Sequence, residues 1–165
     1  MPERKTLERA RKDAREGKAP STQAGEFVRE EMDHIREGKH GARSAKQAIA
    51  IGLSKARRAG VKMPAPRAGT ASAQTRRKAA QDTAAGAKPH KVSRKRSRAT
   101  EAALEREPHA AASHLALSRQ AHAAARKRPA AERSAAARKA ARTKGATERS
   151  AAARKAARTR RRKSA

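Results

Sequence analysis

The 165-residue chain has no cysteine, tryptophan, tyrosine or asparagine, and only one phenylalanine. Each absence removes a class of chemistry. Without cysteine there are no disulfides and no thiolate metal sites, and the redox compartment stays open. Without Tyr or Trp, base-stacking platforms for single strands and aromatic-bearing RNA folds are not expected. Specific duplex readout needs a rigid scaffold that sets Arg, Asn or Gln against base edges, and here Asn is missing altogether. No apolar run approaches the roughly 20 residues of a membrane span. The opening MPERKTLERARKDAREG lacks the apolar region of a secretory signal. Its acids, Glu3, Glu8, Asp13 and Glu16, argue against a transit peptide.

Acidic residues are also scarce, 15 Asp+Glu against 44 Lys+Arg, giving a formal charge of +29. Such an excess predicts a polyanionic partner and opposes compaction through self-repulsion. The charge is uneven. Up to Met63 there are 16 basic and 9 acidic residues, and from Pro64 onward 28 and 6. The large apolar side chains cluster in the first part, among them Phe27, Val28, Met32, Ile35, Ile49, Ile51, Leu53, Val61 and Met63. These observations predict a mostly α protein: a small N-terminal helical domain over 1–63, as a helix hairpin or three helices. A linker with a basic cluster follows over 64–99, then Ala-rich helical segments over 100–128 and a basic repeat tail over 129–165. The tail is expected to be largely disordered and conditionally helical, since it has little to bury.

In the first part, residues 3–16 read as a weakly amphipathic helix that packs loosely or not at all. A second helix follows Pro20-Ser21-Thr22, with a hydroxyl cap expected there and Val28, Met32 and Ile35 on one face. Ser44-Ala45-Lys46-Gln47 is a capping box that opens a third helix. Gly60-Val61 closes it as a left-handed C-cap with its hydrophobic follower. Gly52 falls on the packing face and would admit a close helix neighbour. Beyond Pro64, Thr100 is expected to cap a short helix, and Leu115 and Leu117 are nearly all the next segment can bury.

The tail repeats itself. Glu132 to Thr143, ERSAAARKAART, returns unchanged at Glu148 to Thr159. On a helix, Arg138, Lys139 and Arg142 fall in an arc of roughly 100°, as do Arg154, Lys155 and Arg158, with alanines opposite. Such a face suits a phosphate backbone, bound without sequence preference through counterion release. An all-alanine face is too small for an interfacial membrane helix, so no membrane role is expected.

Other motifs carry less. Lys91 to Arg98 has the form of a nuclear localisation signal, a form common in nucleic-acid tails generally. Ser97 and Ser164 each follow basic residues and could accept phosphate, but an incidental serine in a basic tract is the preferred reading. No pair of the six histidines has metal-binding i, i+4 spacing with a third ligand, so solvated histidines and no metal are expected. Glu30, Glu31 and Asp33 read as a solvated face or as partners of Arg29 and Arg36. No phosphate-cradling glycine loop and no Ser/His/Asp arrangement is present. Catalytic residues and cofactors are therefore not expected.

The runs Ser21–Glu31, Ile35–Gly41, Lys46–Ser54 and on through Ala59-Gly60 resemble a small bacterial family of unknown function. Its members are similar over roughly the first 63 residues and often end in basic, Ala-rich tails. The stretch around Lys46 to Gly60 also resembles a short helical motif of phage- and plasmid-encoded proteins. The resemblance implies bacterial origin and a small helical domain, and it transfers no catalytic residue. The tail is similar to bacterial linker-histone-like proteins and to eukaryotic linker-histone tails. It differs in using Arg about as often as Lys and in lacking their proline-spaced lysines.

Together these readings predict a non-enzymatic, sequence-tolerant, nucleoid-associated DNA-binding protein of the bacterial cytoplasm. Duplex DNA is the expected partner, with RNA or ribosome association as an alternative. A second alternative makes the helical domain a module for a protein partner or for self-association, tethered by the tail. The expected phosphate contacts are Arg57, Arg58, Arg94, Lys95, Arg96, Arg98, Arg138, Lys139, Arg142, Arg154, Lys155, Arg158, Arg160, Arg161, Arg162 and Lys163.

Overall fold

The computed structural model describes residues 2–87 and 93–164, apart from the side chains of Lys144, Lys163 and Ser164. The order is α1 (Arg4–Arg15), α2 (Pro20–Arg36), α3 (Ala45–Arg58), α4 (Ala73–Ala87) and α5 (Arg94–Glu105). A 3-10 turn (His109–Ala112), α6 (His114–Arg126) and α7 (Ala130–Ser164) complete it. Among the described residues there is no strand, so the protein is mostly α. The chain divides into two compact units, Met1–Gln120 and Ala121–Ala165.

The first unit is built on the α2/α3 hairpin. Proline at the first helical position starts α2, its φ already set for a helix. No side chain caps Ala19, the residue before it, so the expected hydroxyl cap from Ser21 or Thr22 is not used. At α3, Ser44 Oγ accepts from Gln47 N at 3.2 Å. Gln47 Oε1 accepts from Arg43 N at 3.0 Å, one residue earlier than a capping box requires. The end of α3 is the expected one: Gly60 has φ 92°. Val61 N donates to Ala56 O at 3.1 Å and Gly60 N to Arg57 O at 3.0 Å, a Schellman motif that buries Val61.

Gly52 brings the two helices together. A Cβ built there would lie 2.7 Å from the Val28 Cα, a backbone atom that cannot step aside. Gly52→Ala should therefore separate α2 from α3 and cost about 1–3 kcal/mol despite alanine's better helix propensity. Urea melts followed by helical circular dichroism check this, and an unchanged or raised midpoint would contradict it.

Two clusters form the core. In one, Met32 and Ile35 meet Ala42, Ala48, Ala111 and Ala112. In the other, Phe27 is surrounded by Ala10, Ala24, Ala56 and Val61, with Leu7, Leu53 and Met63 at its edge. The second cluster corrects the expectation of a loose first helix. α1 packs on α2 and buries Thr6, Ala10 and Asp13, because small residues bring its backbone close enough for Leu7 to reach the core.

The compact unit does not stop at Met63 either. α4 packs on α3 and buries Ala79 and Asp82. The last turn of α5 and the segment after it dock on the α2–α3 loop, where Gly41 N donates to Leu104 O at 2.8 Å and Ala42 N to Pro108 O at 3.0 Å. Arg36 Nε adds a bond to Ala112 O at 3.2 Å. Alanines and backbone hydrogen bonds do here what bulky side chains would otherwise do. α5 also starts earlier than expected. Ser93 caps it, and Thr100 lies inside the helix, its Oγ1 donating to Arg96 O at 2.9 Å.

In the second unit, α7 is helical on both sides of Gly145, whose φ of 63° and ψ of 171° break the run between the two repeats. The expectation of a largely disordered tail is corrected: this segment is helical and exposed. Alanine has the highest intrinsic helix propensity, and its density within each repeat favours the helix without a buried face. Glu132 in the first turn complements the helix dipole.

Candidate nucleic-acid interface

The expected contact residues divide into those the fold leaves exposed and those it consumes. Arg57 is consumed. It is 7% exposed, with Nη2 3.5 Å from Pro64 O. The end of α4 lies against its backbone, since a Cβ at Gly86 would collide with Arg57 O. Arg57 is thus a packing residue, which corrects its expected role.

Arg58 is half-exposed, but its guanidinium is engaged: Nε lies 2.9 Å from Asp82 Oδ1. Lys78 Nζ reaches the same oxygen at 3.1 Å, and Ser54 Oγ donates to Oδ2 at 2.5 Å. Burial opposes the Asp82 charge, but the bonds from Ser54, Arg58 and Lys78 outweigh it and hold the carboxyl below its ordinary range. As pH falls, the unfolded chain takes up this proton before the folded one does. The contribution is therefore present above about pH 4 and is lost as pH falls through the lower folded value. Urea midpoints at about pH 7 and about pH 3 should differ less in Asp82→Asn than in the parent. An identical acid sensitivity in both would place the responsible carboxylate elsewhere.

The α5 cations are available. Arg94, Lys95, Arg96 and Arg98 are all exposed. The first three crowd the N-terminal turn, where the helix already presents free N–H groups and the positive end of its dipole. That placement is unfavourable for the isolated helix and favourable for a bound phosphate. The neighbouring residues of the expected basic cluster, Lys88, Pro89, His90, Lys91 and Val92, lie outside the described residues.

On α7, Arg138, Lys139 and Arg142 are exposed in the first repeat, and Arg154, Lys155 and Arg158 in the second. Helical geometry puts each trio on one arc and spreads it over about 6 Å of axis. Arg160, Arg161 and Arg162 are exposed beyond the second repeat. The Lys163 side chain lies outside the described residues.

A further basic face was not anticipated. Arg4, Arg11 and Arg15 are exposed on α1, opposite the buried Thr6, Ala10 and Asp13. Their i, i+7, i+11 spacing is visible in the sequence. It becomes a surface only because the other side of α1 is docked.

The acids of the domain are largely taken up internally. Lys55 Nζ lies 2.6 Å from Glu31 Oε2 and 3.6 Å from Glu30 Oε1, and both carboxylates are buried. Glu26 lies near Arg9 and Arg29, and Asp33 pairs with Arg36 at 3.4 Å, one of the partners expected for it. Two histidines are drawn in as well, against the expectation of solvated rings: His34 and His40 are 14% and 15% exposed.

Residues 5–67 match the family described as "Family of unknown function (DUF6496)", consistent with the expected small uncharacterised family. The matched stretch runs from the second residue of α1 through α3 and ends before α4 and the basic helices. No curated protein and no solved structure matches the chain.

Proposed function

We propose that this is a non-enzymatic, sequence-tolerant DNA-binding protein that holds the phosphate backbone of duplex DNA and acts on the bacterial nucleoid. The observation that carries the reading is the exposure of both repeat trios on α7, identical in sequence and sixteen residues apart. The α5 cations and the outer face of α1 supply further positive surface on the first unit. Internal ion pairing strengthens this asymmetry. Acidic side chains that would repel phosphate, Glu30 and Glu31 above all, are buried against Lys55.

Affinity in this reading comes from displaced counterions, so it is steeply salt-dependent and indifferent to base sequence. If about 8 phosphates are neutralised, the slope of log K against log salt is on the order of −7. Fluorescence anisotropy of a labelled random-sequence duplex across a salt series tests this directly. A slope near zero, or a strong preference for one sequence, would refute backbone binding. Competition with duplex RNA of equal length separates the DNA reading from ribosome or RNA association: RNA displacing the duplex at equal concentration would favour the latter.

A further inference from the structure

We infer that Glu31, His34 and His40 form a binding site for one divalent transition-metal ion of the zinc type, independently of any nucleic-acid role. One donor atom from each lies within 4.8 Å of the others. Glu31 and His34 are one turn apart on α2, and His40 returns to them from the loop that reverses at Gly38. Imidazole with carboxylate is a donor set that zinc accepts.

The closest pair already has ligand-like spacing. Glu31 Oε1 and His40 Nε2 are 3.1 Å apart. With metal bonds near 2.0–2.1 Å, neighbouring ligand atoms sit about 3.3 Å apart in a tetrahedral site and about 2.9 Å in an octahedral one. His40 Nδ1 lies 3.0 Å from Gly41 O, and a carbonyl can only accept, so Nδ1 carries the proton. Nε2 then faces a carboxylate oxygen, and either a proton or a metal ion between the two satisfies both atoms. Glu31 itself is 1% exposed, and neither of its oxygens has a hydrogen bond of normal geometry.

Each proposed ligand also has an outer partner of the kind that orients metal ligands. His40 has the Gly41 carbonyl. His34 Nε2 lies 2.8 Å from Glu3 Oε1. Glu31 Oε2 is held by Lys55 at 2.6 Å. Charge points the same way. Glu30 and Glu31 are both buried beside the one ammonium of Lys55, so a second cation at Glu31 meets an acidic pair. The bound ion would tie the start of α1, through Glu3, to the end of α2 and the following loop. Such a staple is common in domains with small cores.

The full chain, freed of nucleic acid and metal, should be titrated with zinc chloride by calorimetry and by thermal unfolding. One ion per chain and a rise in melting temperature reversed by chelator are expected. His34→Gln with His40→Gln should lose affinity by more than the roughly 10–100-fold typical of removing an outer partner. His109→Gln with His114→Gln should leave it unchanged. Ring 15N shifts of the unaltered protein give a readout that needs no variant: His34 and His40 alone should move on zinc addition. No stoichiometric binding, binding that survives in the His34/His40 variant, or shifts centred on other histidines would overturn the site.

Discussion

Replacing Arg138, Lys139, Arg142, Arg154, Lys155 and Arg158 together with glutamine should abolish most of the salt dependence of duplex binding. Glutamine keeps nearly the helix propensity of Arg and Lys, so α7 should survive and charge alone should change. If each of the six touches one phosphate, the slope of log K against log salt becomes shallower by about 5. Between about 50 and 200 mM salt, the parent should lose about a thousandfold more affinity than the variant. Anisotropy at three or four salt concentrations measures both slopes, with circular dichroism confirming the helix. Partial substitution, one repeat at a time, should give about half the change per repeat if the two trios bind alike. A parent slope retained by the six-fold variant would mean that the two trios are bystanders. The contacts would then have to come from Arg160 to Arg162, from α5 or from the outer face of α1.

Phe27→Ala should cost the first unit about 3–5 kcal/mol, the range for removing a fully buried aromatic side chain. Phe27 is 1% exposed, and its buried neighbours are mostly alanines, which have no rotamers with which to fill the space. The remaining members, Leu7, Leu53 and Met63, stand at the rim and can collapse only partly. A loss of that size approaches the whole stability of many single domains. The cooperative part of a urea melt followed by helical circular dichroism should shift to much lower denaturant or disappear. Salt-dependent duplex binding through the α7 arcs should persist, because those residues do not take part in the Phe27 core. A loss of binding in step with unfolding would instead show that the first unit contributes the essential contacts.

What could be read along the chain was whatever depends on neighbours in sequence. The Ser44 cap, the Gly60-Val61 stop and the apolar face of α2 follow from residues within a few positions of one another. So do the arcs of the repeat, because helical phase alone sets which side chains lie together. The tail was the exception. Its lack of anything to bury argued for disorder, whereas the alanine propensity of each repeat decided for helix. Arg57 and Arg58 misled for a different reason. They end a helix with the look of an exposed basic patch, yet α4 buries the first and Asp82, 24 residues away, binds the second. The alanines beyond Pro64 were equally silent, since Ala79, Ala111 and Ala112 join the core only where another backbone comes close.

By itself, then, the sequence determined a helical, strongly basic protein with a glycine-permitted hairpin and two matching cationic arcs, because propensity, capping and charge are local or additive. Tertiary structure alone decided which cations remain outside, that α1 turns Arg4, Arg11 and Arg15 to the surface, and that Glu31, His34 and His40 converge. Convergence requires the chain to reverse at Gly38 and Lys55 to approach from α3. Sequence spacing does not encode that arrangement; packing around a small, alanine-rich core does.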